Sequence, residues 1–299
     1  MQILAQLIVS GISVGMVYGV IAFGYQLTFS TSRTLNFGQG EALMLGALVG
    51  LTTINYLIGL GLGNLSAFLL MLPAVLAFGA LQGVVVELLG VRQAVRAKSE
   101  AGWIMATIAL GIIFKNVAEN VWGHDALRFP SPLPEAALTI AGVRVQPMEI
   151  AIVAGALLLM LAVESFNRLS IYGKAVVATS NDRDAAGLMG VNTRMVIVFS
   201  YALSSASAAF AGVLVAPVTL TGATMGAALG LKAFAVAIIG GLSSGVGVVV
   251  GGIILGVAEN LTGYYISTGY KDVPGLLLLL LVLSLKPAGL FGAAAIKKV

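Results

Sequence analysis

Between its first residues and Leu285 the chain returns repeatedly to apolar runs of about 20 residues that carry almost no charge. A helix of that length crosses the roughly 30 Å hydrocarbon core of a bilayer and satisfies its backbone hydrogen bonds internally. Such runs fall near 3–29, 40–60, 66–89, 101–122, 147–165, 196–216, 229–241, 246–262 and 273–285. The composition agrees: 59% of the 299 residues are apolar and 9% are charged, against about half and about a quarter in soluble domains. The expected fold is all-α, a polytopic helical membrane protein with eight or nine spans, forming one domain over 1–299. The uncertain count lies in the pair 229–241 and 246–262. The first member is short, and the pair reads either as two spans or as a broken, re-entrant element. The longest polar stretches, about 123–146 and about 166–195, are loops and not domains.

Lysine and arginine set the expected orientation, because cytoplasmic loops are enriched in both. With nine spans and the C-terminus cytoplasmic, Arg33, Arg92, Arg96, Lys98, Arg168, Lys174, Arg183, Arg194, Lys286, Lys297 and Lys298 fall inside. Only Arg128, Arg144 and Lys271 fall outside. The N-terminus is then outside. The opening "MQILAQLIVSGISVGMVYG" lacks a positive n-region and reads as a first span rather than a cleaved signal peptide. The net charge of +4 reports topology and not nucleic-acid binding.

Several chemistries lack their residues. There is no cysteine for thiolate catalysis or metal binding, and His124 is the one histidine. No G-x-x-x-x-G-K-[ST] loop is present to cradle ATP. The expected catalytic, cofactor and metal residues are therefore none, and any energy source must come from another chain.

Gly11, Gly15 and Gly19 recur on one helix face, and Gly247/Gly251 and Gly252/Gly256 repeat the spacing. Small residues so placed let helix backbones approach closely in lipid; "SSASAAFAG" at 204–212 is a similar face. Tight packing and sliding during gating are both open readings. Lys115 and Glu119, one helical turn apart, are expected to compensate each other. Lys232 and Glu259, in consecutive glycine-rich segments, are expected to face each other, since a lone charge at a span's centre costs about 2.5–3.5 kcal/mol. Glu87 is expected to meet Arg92 or a partner, Glu164 to sit at an inner helix end, and His124 and Asp125 to lie in solvated loop.

The most polar stretch is "TSNDRDAAGLMGVNTR", 179–194. Asn181 is expected to cap a short helix, with Asp182 and Asp184 at its N-terminal dipole and Arg183 between them. Gly190 is expected to stop it. Ala185, Leu188 and Met189 gather on one side. A helix this short is marginal alone and must pack on something. Its own bundle and a cytoplasmic partner are the two candidates. In "TLNFGQGE", Gly38 and Gly40 interrupt helix regularity while Asn36, Gln39 and Glu41 offer polar groups beside Phe37. The stretch reads as a cytoplasmic-edge turn, as part of a translocation path, or as both.

"YGKAVVATSNDRDAAGLMGVNTRMVIVFSYALSSASAAFAGVL" resembles the cytoplasmic loop and following helix of the branched-chain amino acid ABC importer permeases. "GYQLTFSTSRTLNFGQGEALMLGA", "LKAFAVAIIGGLSSGVGVVVGGIILGVAEN" and "YKDVPGLLLLLLVLSLKPAGLFG" resemble further stretches of that family, in the same order. The chain departs at Gly38 and Gln39, where members often carry alanine–histidine, and at Arg33, where many are apolar. The resemblance implies an ATP-driven permease subunit of the bacterial inner membrane, which leaves ATP hydrolysis to its partners. Those partners would be two ATP-binding cassette subunits, a second related permease and a solute-binding protein outside. It also implies that Gly173, Lys174, Asn181, Asp182, Arg183, Asp184, Ala185, Leu188, Met189 and Gly190 form the ATPase-coupling element. The loop 123–146 and the turns Gly61–Ser66 and Ser267–Lys271 are candidates for contact with the binding protein. The implied solutes are branched-chain or related small amino acids; urea, short amides and other small organic solutes are the alternative. An ATP-independent channel or secondary transporter is a further reading.

Overall fold

The computed structural model of the chain describes residues 2–97, 101–134, 136–140 and 142–292. Lys98, Lys297 and Lys298 of the charge count lie outside these. The described residues form twelve α-helices: α1 (Gln2–Ser32), α2 (Gln39–Gly59), α3 (Asn64–Val85), α4 (Arg92–Arg96), α5 (Gly102–Trp122), α6 (Pro147–Leu169), α7 (Ile171–Asn181), α8 (Arg183–Leu188), α9 (Thr193–Val215), α10 (Met225–Gly240), α11 (Gly245–Tyr265) and α12 (Val273–Leu285). A π-helical turn, Val86–Val91, joins α3 to α4 in one continuous rod. A small hairpin, β1 (Leu138–Ile140) with β2 (Val143–Val145), pairs antiparallel in the 123–146 loop.

Eight helical segments are long and apolar enough to cross a membrane, and α10, with 16 residues, is shorter. The polypeptide is thus a multi-pass membrane protein. Each expected span has its helix, with ends shifted by a few residues; the rod through Arg96 runs furthest past expectation. The short α10 belongs to a broken segment. After α9 the chain makes a 3-10 turn at Ala216–Val218, then runs non-helically to α10. Its freed backbone is partly satisfied by the polar loop: Leu127 N donates to Thr221 O at 2.7 Å, and Thr221 N donates back at 2.9 Å. Irregular backbone inside a bilayer needs such cover.

The core is built around α1, α9 and α11. The glycine faces read from the sequence are partners of one another. Gly15 and Gly19 of α1 lie against Gly252 of α11, and Gly11 lies against Gly256. A methyl group added at Gly11 would sit 2.7 Å from the Cα of Val257. Gly247 and Gly251 form the other face of α11 and lie against Gly240 of α10. The small face of α9 accepts α2 and α3: Gly46 and Gly79 meet Ala209, and Gly83 meets Tyr201. By contrast α5, α6 and α12 lie at the periphery with most of their surfaces exposed.

Candidate functional site

Two polar regions were singled out by the sequence, and the structure gives each a defined place. The 166–195 loop becomes an elbow. α6 ends at Leu169, and Ser170 Oγ accepts the Gly173 amide at 2.8 Å to open α7. Gly173 is buried where any side chain would strike Phe166 and Asn167, whereas Lys174 is exposed. The cap of α8 is Asp182 and not Asn181. Asp182 Oδ1 accepts the amides of Asp184 at 3.1 Å and Ala185 at 3.0 Å. Asn181 is the last residue of α7. Both residue types cap well, and the backbone decides: Asp182 is extended, with φ −151° and ψ 108°. Gly190 ends the element at φ 89°, in the left-handed region that favours glycine.

The side on which Ala185, Leu188 and Met189 gather does not pack on the described bundle. Ala186 is the buried residue, and Ala185, Leu188 and Met189 point away from the protein. Leu188 is 89% exposed and Met189 85% exposed. Beside this knob, Arg92 and Arg96 from α4, Arg183 from α8 and Arg194 from α9 line one cavity of about 200 Å³ with Ser32 and Glu87. Arg92 is neutralised by Glu87 at 2.8 Å, as expected. The convergence of the four arginines was not legible, because it brings α4 to the α8–α9 stretch, about 90 residues further along the chain. It places the ends of α1 and α4 and the start of α9 at one basic end of the bundle.

The second region, 33–41, turns from α1 into α2. Arg33 sits at φ 58°, the one described non-glycine residue with positive φ. Asn36 and Gln39 are fully buried. Gln39 Nε2 donates to Ser204 O at 2.9 Å, Ser204 Oγ donates to Gly24 O at 2.7 Å, and Asn36 Oδ1 accepts the Gly38 amide at 3.0 Å. Gly38 and Gly40 are buried too, Gly40 against Gly226 and Gly230 of α10. The region is a polar hub tying α1, α2 and α9. Within it Arg33 is exposed, and Phe37 and Glu41 are half-buried. Phe37 stacks on Trp103, and the Glu41 carboxylate lies against Gly111 of α5.

The intramembrane charges pair as read. Lys115 and Glu119 stand 3.6 Å apart. Lys232 lies 3.0 Å from Glu259, which is fully buried. Two partners were not anticipated: Tyr18 donates to Glu259 Oε2 at 2.9 Å, and Asp272 lies 2.6 Å from Lys232. Glu164 pairs with Arg168. His124 is exposed beside Glu119.

The sequence matches the family described as branched-chain amino acid transport system / permease component over residues 7–284. It is 32% identical to the high-affinity branched-chain amino acid transport system permease protein LivH of Salmonella typhimurium, covering 97% of this chain and 96% of that one. It is 29% identical to the corresponding permease protein BraD of Pseudomonas aeruginosa, covering 98% and 97%. A more distant relative is the inner membrane ABC transporter permease protein YjfF of Escherichia coli, 29% identical over 83% of this chain and 72% of that one. Among solved structures, PsaBC from Streptococcus pneumoniae in complex with Fab aligns with a TM-score of 0.49 and 16% identity, covering 96% and 93%. The chain belongs to the family of permease components of branched-chain amino acid transport systems.

Proposed function

We propose that this chain is the translocating membrane subunit of an ATP-driven importer for branched-chain or related small amino acids in a bacterial inner membrane. Two ATP-binding subunits dock on the α7–α8 elbow, a second permease completes the path, and a solute-binding protein delivers solute at the opposite end. Nucleotide binding draws the two ATPases together and rocks the permeases between outward- and inward-facing states. The N-terminus lies outside and the basic end faces the cytoplasm.

The observation that carries the coupling role is the exposure of Leu188 and Met189 at the tip of a capped, glycine-stopped helix. Apolar side chains held clear of their own protein form a knob suited to a complementary groove. The relatives' names support the amino-acid class of solute. The test is uptake by the purified assembly in liposomes, comparing labelled leucine, isoleucine and valine with labelled urea. ATP-dependent uptake of the amino acids supports the reading. ATP-dependent uptake of urea alone moves the assignment to the amide branch, and uptake without ATP contradicts it.

A further inference from the structure

The helix α5 carries polar groups where a lipid-facing helix should carry none. It packs on α2 and on the inner part of the α3–α4 rod, and the rest of its surface is open. At 100° per residue the centre of that open surface falls near Asn116, with Asn120 one turn further along. Both are exposed. Each amide nitrogen satisfies its own helix, Asn116 to Ile112 O at 2.7 Å and Asn120 to Asn116 O at 2.8 Å. The side-chain carbonyl oxygens remain for other partners. On the flank towards α2 stand Lys115 and Glu119, and the half-buried Glu41 reaches into the α2–α5 seam, where its carboxylate meets the buried Gly111.

Glu41 is the decisive member. Its carboxylate lies against Gly111, about halfway along a 21-residue helix that is about 31 Å long. Glu41 thus lies in the first turn of α2 yet level with the midpoint of α5, and an ionisable group within a span is costly and faces water or protein. Among the described residues no cation lies within ion-pair distance of Glu41. Lys115, one turn above Gly111, acts on it electrostatically from further away. Lys115 is itself held only loosely by Glu119, at 3.6 Å, beyond good hydrogen-bond length. On the other side of α2 the Asn36–Gln39–Ser204 hub is fully buried and offers no accessible surface to a solute.

We propose that the open face of α5, with Glu41 beside it, lines the water-filled translocation path. Glu41 receives the ammonium group of an amino-acid solute, and Lys115 accepts its carboxylate. The inference rests on the importer reading given above, with the second permease closing this face. It favours zwitterionic solutes over neutral amides, because a carboxylate with an ammonium about one helical turn away complements the two charged ends of an amino acid.

The chain has no cysteine, so single cysteines report access directly. N116C and N120C are prepared in the full assembly in liposomes. L158C serves as control, on the exposed apolar face of α6. A hydrated cysteine ionises to the thiolate that attacks a small charged methanethiosulfonate and expels methanesulfinate, whereas a thiol held in lipid stays protonated and unreactive. The expected result is labelling of N116C and N120C at least about tenfold faster than L158C, slowed by saturating L-leucine. E41Q is expected to raise the KM for leucine about tenfold or more, the loss of one charge-assisted contact, while still co-purifying with its partners. Labelling no faster than L158C in an assembly that imports leucine overturns the path assignment and leaves the importer reading standing. A wild-type KM in E41Q, or labelling that leucine does not slow, overturns the ammonium site. Failure of the unmodified assembly to import any amino acid overturns the importer reading itself, whatever the labelling.

Discussion

The ammonium of Lys232 lies 3.0 Å from the buried carboxylate of Glu259, binding α10 to α11 across a glycine-rich helix pair. Asp272 also touches Lys232, at 2.6 Å, and Tyr18 caps the carboxylate. Breaking one side of a buried pair strands the other charge, at about 3–5 kcal/mol. K232M, which strands the buried Glu259, is expected to lower the melting temperature of the purified chain sharply, and E259Q, which leaves Lys232 with Asp272, to lower it less. K232M/E259M, which removes both charges, should recover most of the loss. Equal losses in the single and double variants would show that packing, not charge, sets the cost.

The α1–α11 seam predicts a second contrast. Any side chain at Gly15 or Gly252 runs into the facing backbone. G15V is expected to destabilise by about 1–3 kcal/mol or more, the range for overpacking. At Gly59 an added methyl group meets nothing within 4 Å, so G59A should be close to neutral. The comparison is read from thermal unfolding in the same detergent.

The polar hub at the α1–α2 turn makes a third prediction. Gln39 is fully buried and bonded to Ser204 on both amide atoms. Q39L removes that pairing and leaves Ser204 O without its donor. It is expected to cost about 1–3 kcal/mol and to depress expression. Retained stability with altered solute selectivity would instead move Gln39 into the path.

At the elbow, exchanging Asp182 and Arg183, or replacing Gly190 by valine, attacks the cap and the left-handed stop of α8. Loss of the cap alone costs about 1 kcal/mol, too little to unfold the bundle. ATP hydrolysis by the assembly is expected to persist while solute uptake falls away. Normal uptake in these variants would argue that α8 is an ordinary surface helix.

Orientation is tested by impermeant labelling. In spheroplasts H124C is expected to react from outside, and L188C in the chain expressed alone only after the membrane is opened. The reverse pattern would invert the topology.

The spans were legible because helices in lipid must be long and uncharged. Lys232–Glu259 was legible because two charges in adjacent apolar segments have few other ways to be neutralised. The cap was misread by one residue: Asn181 and Asp182 are both capping types, and only the backbone shows which is extended. The glycine faces were visible, but which face meets which is a tertiary fact that spacing does not encode. Likewise Leu188 and Met189 look like a packing face on a helical wheel, and only the fold shows that none of the described residues covers them. Asn116 and Asn120 drew no attention in the sequence, because their meaning depends on α5 being peripheral and open on that side.

The central claim is that this chain works as one part of an ATP-driven assembly. The direct measurement is a gentle pull-down of the tagged chain, expressed with its chromosomal neighbours and identified by mass spectrometry. Recovery with P-loop ATPases and a second permease is the predicted result, and loss of the ATPases on substituting Leu188 and Met189 by aspartate would locate their contact. Recovery alone, or only as a homo-oligomer, would contradict the account and leave a channel or secondary transporter in its place.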